Sequence, residues 1–417
     1  MKKLVVSSVL LTGIRGLGIL FQALVILYLA RVLPIEDMGL FAMVYAWLGL
    51  MRFLAPMGSD QIAMRRISGE EGVTATAQSI SNTSFALTGL VGIAVALIAA
   101  IVLVWHTSFS PVEIVAIGLA IPAFALMGLF ISQIRGFGQN LAAQAPEALG
   151  FHLLFGSLIA LLAFGDAVER TTVLLCLCIA GWGVTTLYLM LRLRIGVDWS
   201  RRPRLIDIGR LAGEGFAIFQ ALLFTVLSAR APIFLAGVLA GPAAAAVLEI
   251  ASRFGNLASV TTTSVGATFS PQFARLAHQG DTVGLMKSLR LSALLAALPA
   301  LSWLVILGVG ASTAVSTLLP PAYADAYVPM LLVALASSIN AAFGLASNLL
   351  LMSGSGKVVR WFSLLQFIAI CLTASLLTPF YGVIGIAFTM VVGSVIRDGG
   401  LMTYVVFHRL STPVLKS

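Results

Sequence analysis

Five arginines lie inside long apolar segments of this sequence, where a charged side chain is costly. They are Arg15, Arg52, Arg230, Arg253 and Arg397. An arginine stays protonated in proteins and costs about 2.5 to 3.5 kcal/mol at the centre of a membrane helix on insertion scales. Its planar fork matches carboxylate and phosphate oxygens in bidentate fashion. These residues therefore predict an internal site for an anionic ligand, lined by guanidinium groups from several helices.

Polar residues accompany some of these arginines at helical spacing. Gln22 follows Arg15 by seven residues, which places both on one helix face. Glu249, Arg253 and Asn256 follow one another at helical intervals and form a polar stripe in an otherwise apolar segment. Gln22 and Asn256 are candidates for hydrogen bonds to a polar ligand.

A second interpretation is that each arginine only neutralises a nearby acid. Arg253 lies one helical turn after Glu249, and Arg397 directly precedes Asp398. The other three arginines have no acidic residue close by in the sequence; these are Arg15, Arg52 and Arg230.

Three carboxylates are candidates for proton or ion coupling. They are Glu249, Asp398 and Asp60. An acid inside an apolar segment can alternate between protonation states and relay a proton. Asp60 also fits a second interpretation, a solvated helix end near Arg65.

The elements that carry these residues are transmembrane helices. Of 417 residues, 59% are hydrophobic and 10% are charged, whereas soluble domains have roughly 25% charged residues. A bilayer-spanning helix needs about 20 apolar residues, and such runs recur along the whole chain. We predict an all-α integral membrane protein with twelve helices at approximately 5–33, 38–58, 79–105, 112–134, 145–165, 171–193, 211–239, 243–272, 288–310, 326–350, 358–379 and 382–408.

The positive charge follows the predicted topology. With a cytoplasmic N-terminus, eighteen Lys and Arg residues fall on the cytoplasmic side and two, Arg31 and Arg170, on the other. This is the positive-inside bias, and it predicts that both termini are cytoplasmic. The net charge of +9 is therefore a topology signal, and we expect no nucleic-acid partner.

The chain divides near its middle into two similar halves. We predict a bundle of six helices in residues 1–195, a cytoplasmic connector in 196–210 and a second six-helix bundle in 211–417. LARVL at 29–33 recurs as LAGVL at 235–239, at the outer end of the first helix of each half. Since each half has an even number of crossings, the repeats are parallel, as in transporters built from two related halves.

Several segments resemble polysaccharide flippases, the O-antigen (Wzx-type) translocases of the multidrug/oligosaccharidyl-lipid/polysaccharide exporter superfamily. They are LARVLPIEDMGLFA, LAGVLAGP with SPQFARLAHQGD, LLPPAYADAYVPMLLVA and TPFYGVIGIAFTMVV. The resemblance covers essentially the whole chain. Two positions depart from the family pattern: Pro34 directly follows Leu33 where a Gly-Pro turn is usual, and Pro232 stands where an acidic residue often follows the arginine of helix 7.

The resemblance implies a MATE-like pair of pseudo-symmetric six-helix bundles around a central cavity. It implies that a polyprenyl-pyrophosphate-linked oligosaccharide moves from the inner to the outer leaflet of a bacterial inner membrane, for surface polysaccharide synthesis. The five arginines would line a cationic cavity that binds the pyrophosphate. The implied partners are the lipid-linked substrate, membrane lipids, and a polysaccharide polymerase with its chain-length regulator.

Other functions remain as alternatives or are disfavoured. A peptidoglycan-precursor flippase and an ion-coupled multidrug exporter of the same superfamily are the nearest rivals. An enzyme is disfavoured, because SGSGKVV lacks the spacing of a P-loop, and His152 near Ser157 lacks a nucleophile elbow. The histidines and cysteines have no metal-ligand spacing, so we expect neither a metal nor a cofactor.

Overall fold

In the computed structural model of this chain, residues 2–70, 72–105, 108–165, 167–198 and 203–409 are described. Every regular element in these residues is a helix, and no strand occurs among them. The prediction of an all-α protein is therefore confirmed. Residues 199–202 of the predicted connector and the predicted cytoplasmic tail from 410 onwards lie outside the described residues.

Sixteen α-helices are described. The first eight are α1 Lys2–Val32, α2 Ile35–Leu54, α3 Ser59–Ser68, α4 Ala75–Val104, α5 Pro111–Gly136, α6 Asn140–Ala145, α7 Phe151–Ala163 and α8 Arg170–Ile195. The second eight are α9 Leu205–Ala240, α10 Pro242–Gly255, α11 Ser259–Gln279, α12 Thr282–Leu318, α13 Tyr327–Phe343, α14 Leu345–Met352, α15 Gly356–Ser394 and α16 Gly400–Arg409. Two π-helical segments, Pro146–Gly150 and Val395–Gly399, and two 3₁₀ segments, Asn256–Ala258 and Pro321–Ala326, connect neighbouring helices.

Ten helical stretches of the described chain are long and apolar enough to cross a bilayer. One of them, Gly356–Phe407, has 52 residues, which is about 78 Å of helix and more than twice the roughly 30 Å hydrocarbon thickness. Gly382 divides it with φ 53° and ψ −133°, so it holds two helices. The pair α10 and α11 is not among the ten, because polar residues lower its hydropathy. The chain is thus a multi-pass membrane protein, and twelve crossings are compatible with these elements.

Several predicted helices are interrupted in the structure. The predicted 145–165 helix includes the π-helical segment Pro146–Gly150, at whose start Pro146 has no N–H for the helical ladder. The predicted 243–272 helix is divided by the 3₁₀ turn Asn256–Ala258. Short breaks of this kind leave the hydropathy of a segment unchanged, so a pattern of apolar residues does not reveal them.

The chain folds into two compact units. The first comprises Met1–Leu33 with Val44–Gln220, and the second comprises Pro34–Met43 with Ala221–Ser417. In the first unit α5 is the central helix and packs against α3, α4 and α8. In the second unit α13 has this position and packs against α10, α12 and α15. The central helices are largely buried, and their small residues allow close packing.

The outer helices expose apolar side chains. Leu97, Ile101 and Val104 of α4 are more than 60% exposed, and so are Val305 and Val309 of α12. Apolar surface of this extent is not tolerated in water but is matched by lipid tails. These helices therefore provide the lipid-facing surface of their units.

A close backbone approach fixes the turn between α2 and α3 in the first unit. Gly58 has φ +78°, and a Cβ atom there would overlap the carbonyl oxygen of Gly215 in α9. Gly215 is constrained in the same way, since its Cβ atom would overlap the carbonyl oxygen of Met57. Only glycine satisfies both the left-handed conformation and the short distance between the two backbones.

We expect Gly58→Ala to destabilise the protein more than Gly72→Ala. Gly72 has φ +85° with no atom within 4 Å of its Cβ position, so its replacement costs only the left-handed conformation, about 1 to 2 kcal/mol. Gly58→Ala adds a backbone clash of about 1 to 3 kcal/mol. Thermal unfolding of the purified proteins in detergent measures the difference, and equal Tm values would contradict the close approach.

Candidate functional site

Arg15 lies on α1 and its side chain is exposed. Within the described residues its guanidinium has no hydrogen bond or ion pair. A Cβ atom at Gly18 of the same helix would overlap the carbonyl oxygen of Ala148, so α1 packs directly on the π-helical segment Pro146–Gly150. The guanidinium of Arg15 is therefore available to bind a ligand.

Gln22, which follows Arg15 by seven residues on α1, contacts α2. Its Nε2 donates a hydrogen bond to the hydroxyl oxygen of Tyr45 at 2.8 Å. The amide therefore links two helices of the first unit. Its carbonyl oxygen can still accept a hydrogen bond from a ligand.

Arg52, near the end of α2, forms an ion pair with Glu147. The acid lies 95 residues away in the sequence, within the π-helical segment Pro146–Gly150. The two side chains are 21% and 27% exposed, so the pair is accessible to a ligand. The guanidinium carbon of Arg52 also lies 5.4 Å from the ring centroid of Phe53, which favours the cation.

Arg135, at the end of α5, is a third arginine close to Arg15 and Arg52. It lies within electrostatic range of Arg15, Arg52 and Glu147. Its Nε is buried and has no hydrogen-bond partner. We call Arg15, Arg52 and Arg135 with Glu147 the arginine cluster; it contains three cations and one anion, all from the first unit.

Sequence reasoning placed Arg135 among the cytoplasmic charges and did not select Glu147. Both residues lie near helix ends, where a charge is ordinary and carries no signal in the sequence. Their place in the cluster follows only from the packing of the π-helical segment against α1 and of α5 against Arg52 of α2.

In the second unit Arg253 is paired within its own helix. Its Nε donates to Glu249 Oε1 at 2.6 Å, and Glu249 is buried. Asn256 begins the 3₁₀ turn after α10, and its Oδ1 accepts a hydrogen bond from the hydroxyl of Ser337 at 2.7 Å. The turn ends the regular helix at this point, so the predicted polar stripe does not continue along one straight helix.

Arg397 and Asp398 lie together in the π-helical segment Val395–Gly399. Arg397 Nη1 donates to Asp398 Oδ1 at 3.0 Å, and Asn340 Nδ2 donates to Asp398 Oδ2 at 2.9 Å. Arg397 Nε also donates to the hydroxyl oxygen of Ser363 at 3.3 Å. The buried carboxylate of Asp398 is therefore held by both a cation and an amide.

Arg230 is half-buried in α9, two residues before Pro232. The structure thus brings the predicted site residues together in three groups. The first is the arginine cluster, the second is Arg253 with Glu249, and the third is Arg397 with Asp398. Among the described residues no group of His, Cys, Asp or Glu side chains is arranged to hold a metal ion.

Asp60 lies in the first turn of α3, outside the membrane-spanning segments. Its Oδ2 accepts hydrogen bonds from Gln61 Nε2 at 2.7 Å and from the Ser132 hydroxyl at 3.2 Å. Burial raises the pKa of the Asp60 carboxyl above its ordinary value of 3.8, and the hydrogen bonds only partly oppose this effect. The native protein therefore favours the protonated acid more than the unfolded chain does.

We expect Asp60→Asn to raise the Tm at neutral pH. Because the pKa of Asp60 is higher in the native protein than in the unfolded chain, ionisation of Asp60 destabilises the native protein at pH values above the native pKa. This destabilisation disappears at pH values below the ordinary pKa of 3.8. The stabilisation by asparagine should shrink as the pH falls towards that value. Thermal unfolding in detergent across pH tests this, with exposed Asp325→Asn as a control that leaves the Tm unchanged. A lower Tm for Asp60→Asn at neutral pH would contradict it.

Solved structures with the same fold are membrane transporters. The lipid II flippase MurJ in an inward closed conformation superposes with a TM-score of 0.74 and 10% identity, covering 97% of this chain and 88% of that one. A multidrug resistance MATE family transporter of the MOP superfamily, inward-facing, has a TM-score of 0.70 and 12% identity, covering 97% and 99%. The Vibrio cholerae MATE transporter VcmN, as a mutant, has a TM-score of 0.69 and 15% identity, covering 99% and 98%. At these identities the likeness establishes the fold, which is the MATE-like fold that the resemblance implied.

The family is established by the sequence itself. No curated protein matches this chain. The profile of the family described as "Polysaccharide biosynthesis protein" matches residues 4–277, which is more than half of the chain. The chain therefore belongs to the polysaccharide biosynthesis protein family, a family of flippases and not of enzymes.

Proposed function

We propose that this protein flips a polyprenyl-pyrophosphate-linked oligosaccharide from the inner to the outer leaflet of the bacterial inner membrane, for surface polysaccharide synthesis. It works by alternating access, with both termini in the cytoplasm. The positive-inside charge distribution supports this orientation. The halves that would alternate are the two predicted six-helix bundles, 1–195 and 211–417, and a polymerase and chain-length regulator would act on the product.

The observation that carries the proposal is the excess of positive charge in the arginine cluster. Glu147 forms an ion pair with Arg52, and Arg135 lies within electrostatic range of Arg15, Arg52 and Glu147. Arg15 and Arg135 have no anionic partner in hydrogen-bond contact within the described residues. A diphosphate linkage supplies the missing anion and accepts bidentate hydrogen bonds from guanidinium groups. Arg230, Arg253 and Arg397, with Gln22 and Asn256, would contact the rest of the substrate.

The membrane potential supports outward transport of such a substrate. With the inside negative, moving one negative charge outward is favourable by about 2.3 kcal/mol per 100 mV. The arginines remain part of the protein while the diphosphate crosses. Coupling to protons or other ions through Glu249, Asp398 or Asp60 would add to this driving force.

Two rival substrates have some support. The MurJ structure, with the highest TM-score of those compared above, is that of a lipid II flippase, so a peptidoglycan precursor is a second candidate. The MATE relatives are multidrug transporters, and a cationic drug is a third. A drug cation would favour an acidic site, and the arginine cluster has the opposite charge, so this candidate is the weakest.

We expect Arg15→Ala to lower flipping about tenfold or more while leaving expression intact. Losing hydrogen bonds to a charged group costs about 1.5 to 3 kcal/mol, and 1.4 kcal/mol corresponds to tenfold. The measurement is a leaflet assay in proteoliposomes that contain a polyprenyl-pyrophosphate oligosaccharide. Arg15→Lys should restore flipping only in part, because a point charge replaces a planar fork.

The matched control is Arg290→Ala, which removes an exposed arginine at the start of α12 and should flip at the wild-type rate. Wild-type flipping by Arg15→Ala would contradict the role of the cluster. Flipping of lipid II but not of polyprenyl-pyrophosphate oligosaccharides would assign the peptidoglycan precursor. Extrusion of cationic dyes without lipid flipping would assign drug export.

A further inference from the structure

Glu147, the only carboxylate of the arginine cluster, is positioned to compete with an anionic ligand for Arg52. Glu147 forms an ion pair with Arg52, while the guanidiniums of Arg15 and Arg135 lack an ion pair in the described chain. One of the three cations is therefore already occupied by an anion from the protein itself, and the other two are available.

The position of Glu147 is set by the backbone and not by a flexible loop. Glu147 is the second residue of the π-helical segment Pro146–Gly150. The next residue, Ala148, presents its carbonyl oxygen to Gly18 of α1, where a side chain would not fit. Arg52 is held on its other side by α5, because a Cβ atom at Gly128 would overlap its backbone carbonyl oxygen and side-chain Cγ. The acid and the arginine are thus presented to each other by closely packed helices.

The charges of the cluster match those of a diphosphate diester in two ways. With Glu147 in place the cluster has a net charge of +2, equal and opposite to the two negative charges of a diphosphate diester. When Arg52 leaves Glu147, a third guanidinium becomes available to the phosphate oxygens. Carboxylate and phosphate oxygens bind the same fork of a guanidinium, so Arg52 cannot serve both fully.

We propose that Glu147 is a built-in counter-anion that the diphosphate of the substrate displaces from Arg52. This inference rests on the proposed function and adds a residue that sets substrate affinity. In the empty protein Glu147 reduces the cost of keeping cations in the membrane. In the loaded protein its competition weakens binding, which a transporter needs because a substrate bound too tightly does not leave.

The experiment measures the binding of inorganic pyrophosphate to the purified full-length protein in detergent by isothermal titration calorimetry. Glu147→Gln should bind pyrophosphate about tenfold more tightly than wild type, the size of a typical coupling between two sites. Glu214→Gln is the matched control. Glu214 also pairs with an arginine of the first unit, Arg66, but at an exposed surface, so its removal should leave the affinity unchanged.

The direction of the change in pyrophosphate affinity distinguishes competition by Glu147 from a purely structural role. If Glu147 only held the helices together, Glu147→Gln would weaken pyrophosphate binding or leave it unchanged, and either result would overturn the proposal. Glu147→Asp provides a second variant should Glu147→Gln fail to fold. It keeps the charge but retracts it by one methylene, and should bind pyrophosphate more tightly than wild type; unchanged or weaker binding would count against the competition.

Arg15→Ala distinguishes failure of this proposal from failure of the proposed function. Weaker binding in Arg15→Ala together with no gain in Glu147→Gln would retain the anion site and reject the counter-anion. Absence of pyrophosphate binding in wild type and in Glu147→Gln would reject both, because the cluster would then not be an anion site.

Discussion

The structure depends on one electrostatic constraint: a guanidinium inside a membrane cannot lose its proton, so it needs a counter-charge or a polar, water-accessible surrounding. Arg253 meets it through Glu249, one helical turn away. Arg397 meets it through Asp398, the adjacent residue. Arg52 meets it through Glu147, which a separate part of the chain provides. Of these three pairs, Arg52–Glu147 joins separate helical segments, so it constrains how those segments pack.

Two of these three acids lie where the backbone departs from a regular α-helix. Glu147 and Asp398 each lie in a π-helical segment, one in each unit. A π-helical turn contains an extra residue and changes the direction of the side chains that follow, and such turns are frequent at functional sites. Proline at position 146 removes a ladder hydrogen bond, and glycines follow Asp398 at 399 and 400. Both segments are thus places where local sequence favours a departure from the α-helix.

The two ion pairs of the second unit differ from the arginine cluster of the first unit in their balance of charge. In the second unit Asp398 is held by Arg397 and by Asn340, and Glu249 by Arg253, so the charge of each pair is balanced. In the first unit three arginines share one glutamate. An unbalanced cation in a membrane is unfavourable, and the proposed binding of a phosphate-bearing lipid rests on this excess of positive charge.

The sequence by itself determined the all-α membrane architecture, because apolar run length and the distribution of Lys and Arg report directly on transfer into a bilayer. It also identified Arg15 and Arg52 as chemically exceptional, and it anticipated the pairing of Arg253 and Arg397 with acids close by in the chain. Only the tertiary structure decided that Arg52 pairs with Glu147 and that Arg135 joins the cluster. An ion pair between residues 95 positions apart depends on how helices pack, and hydropathy and periodicity describe each helix separately.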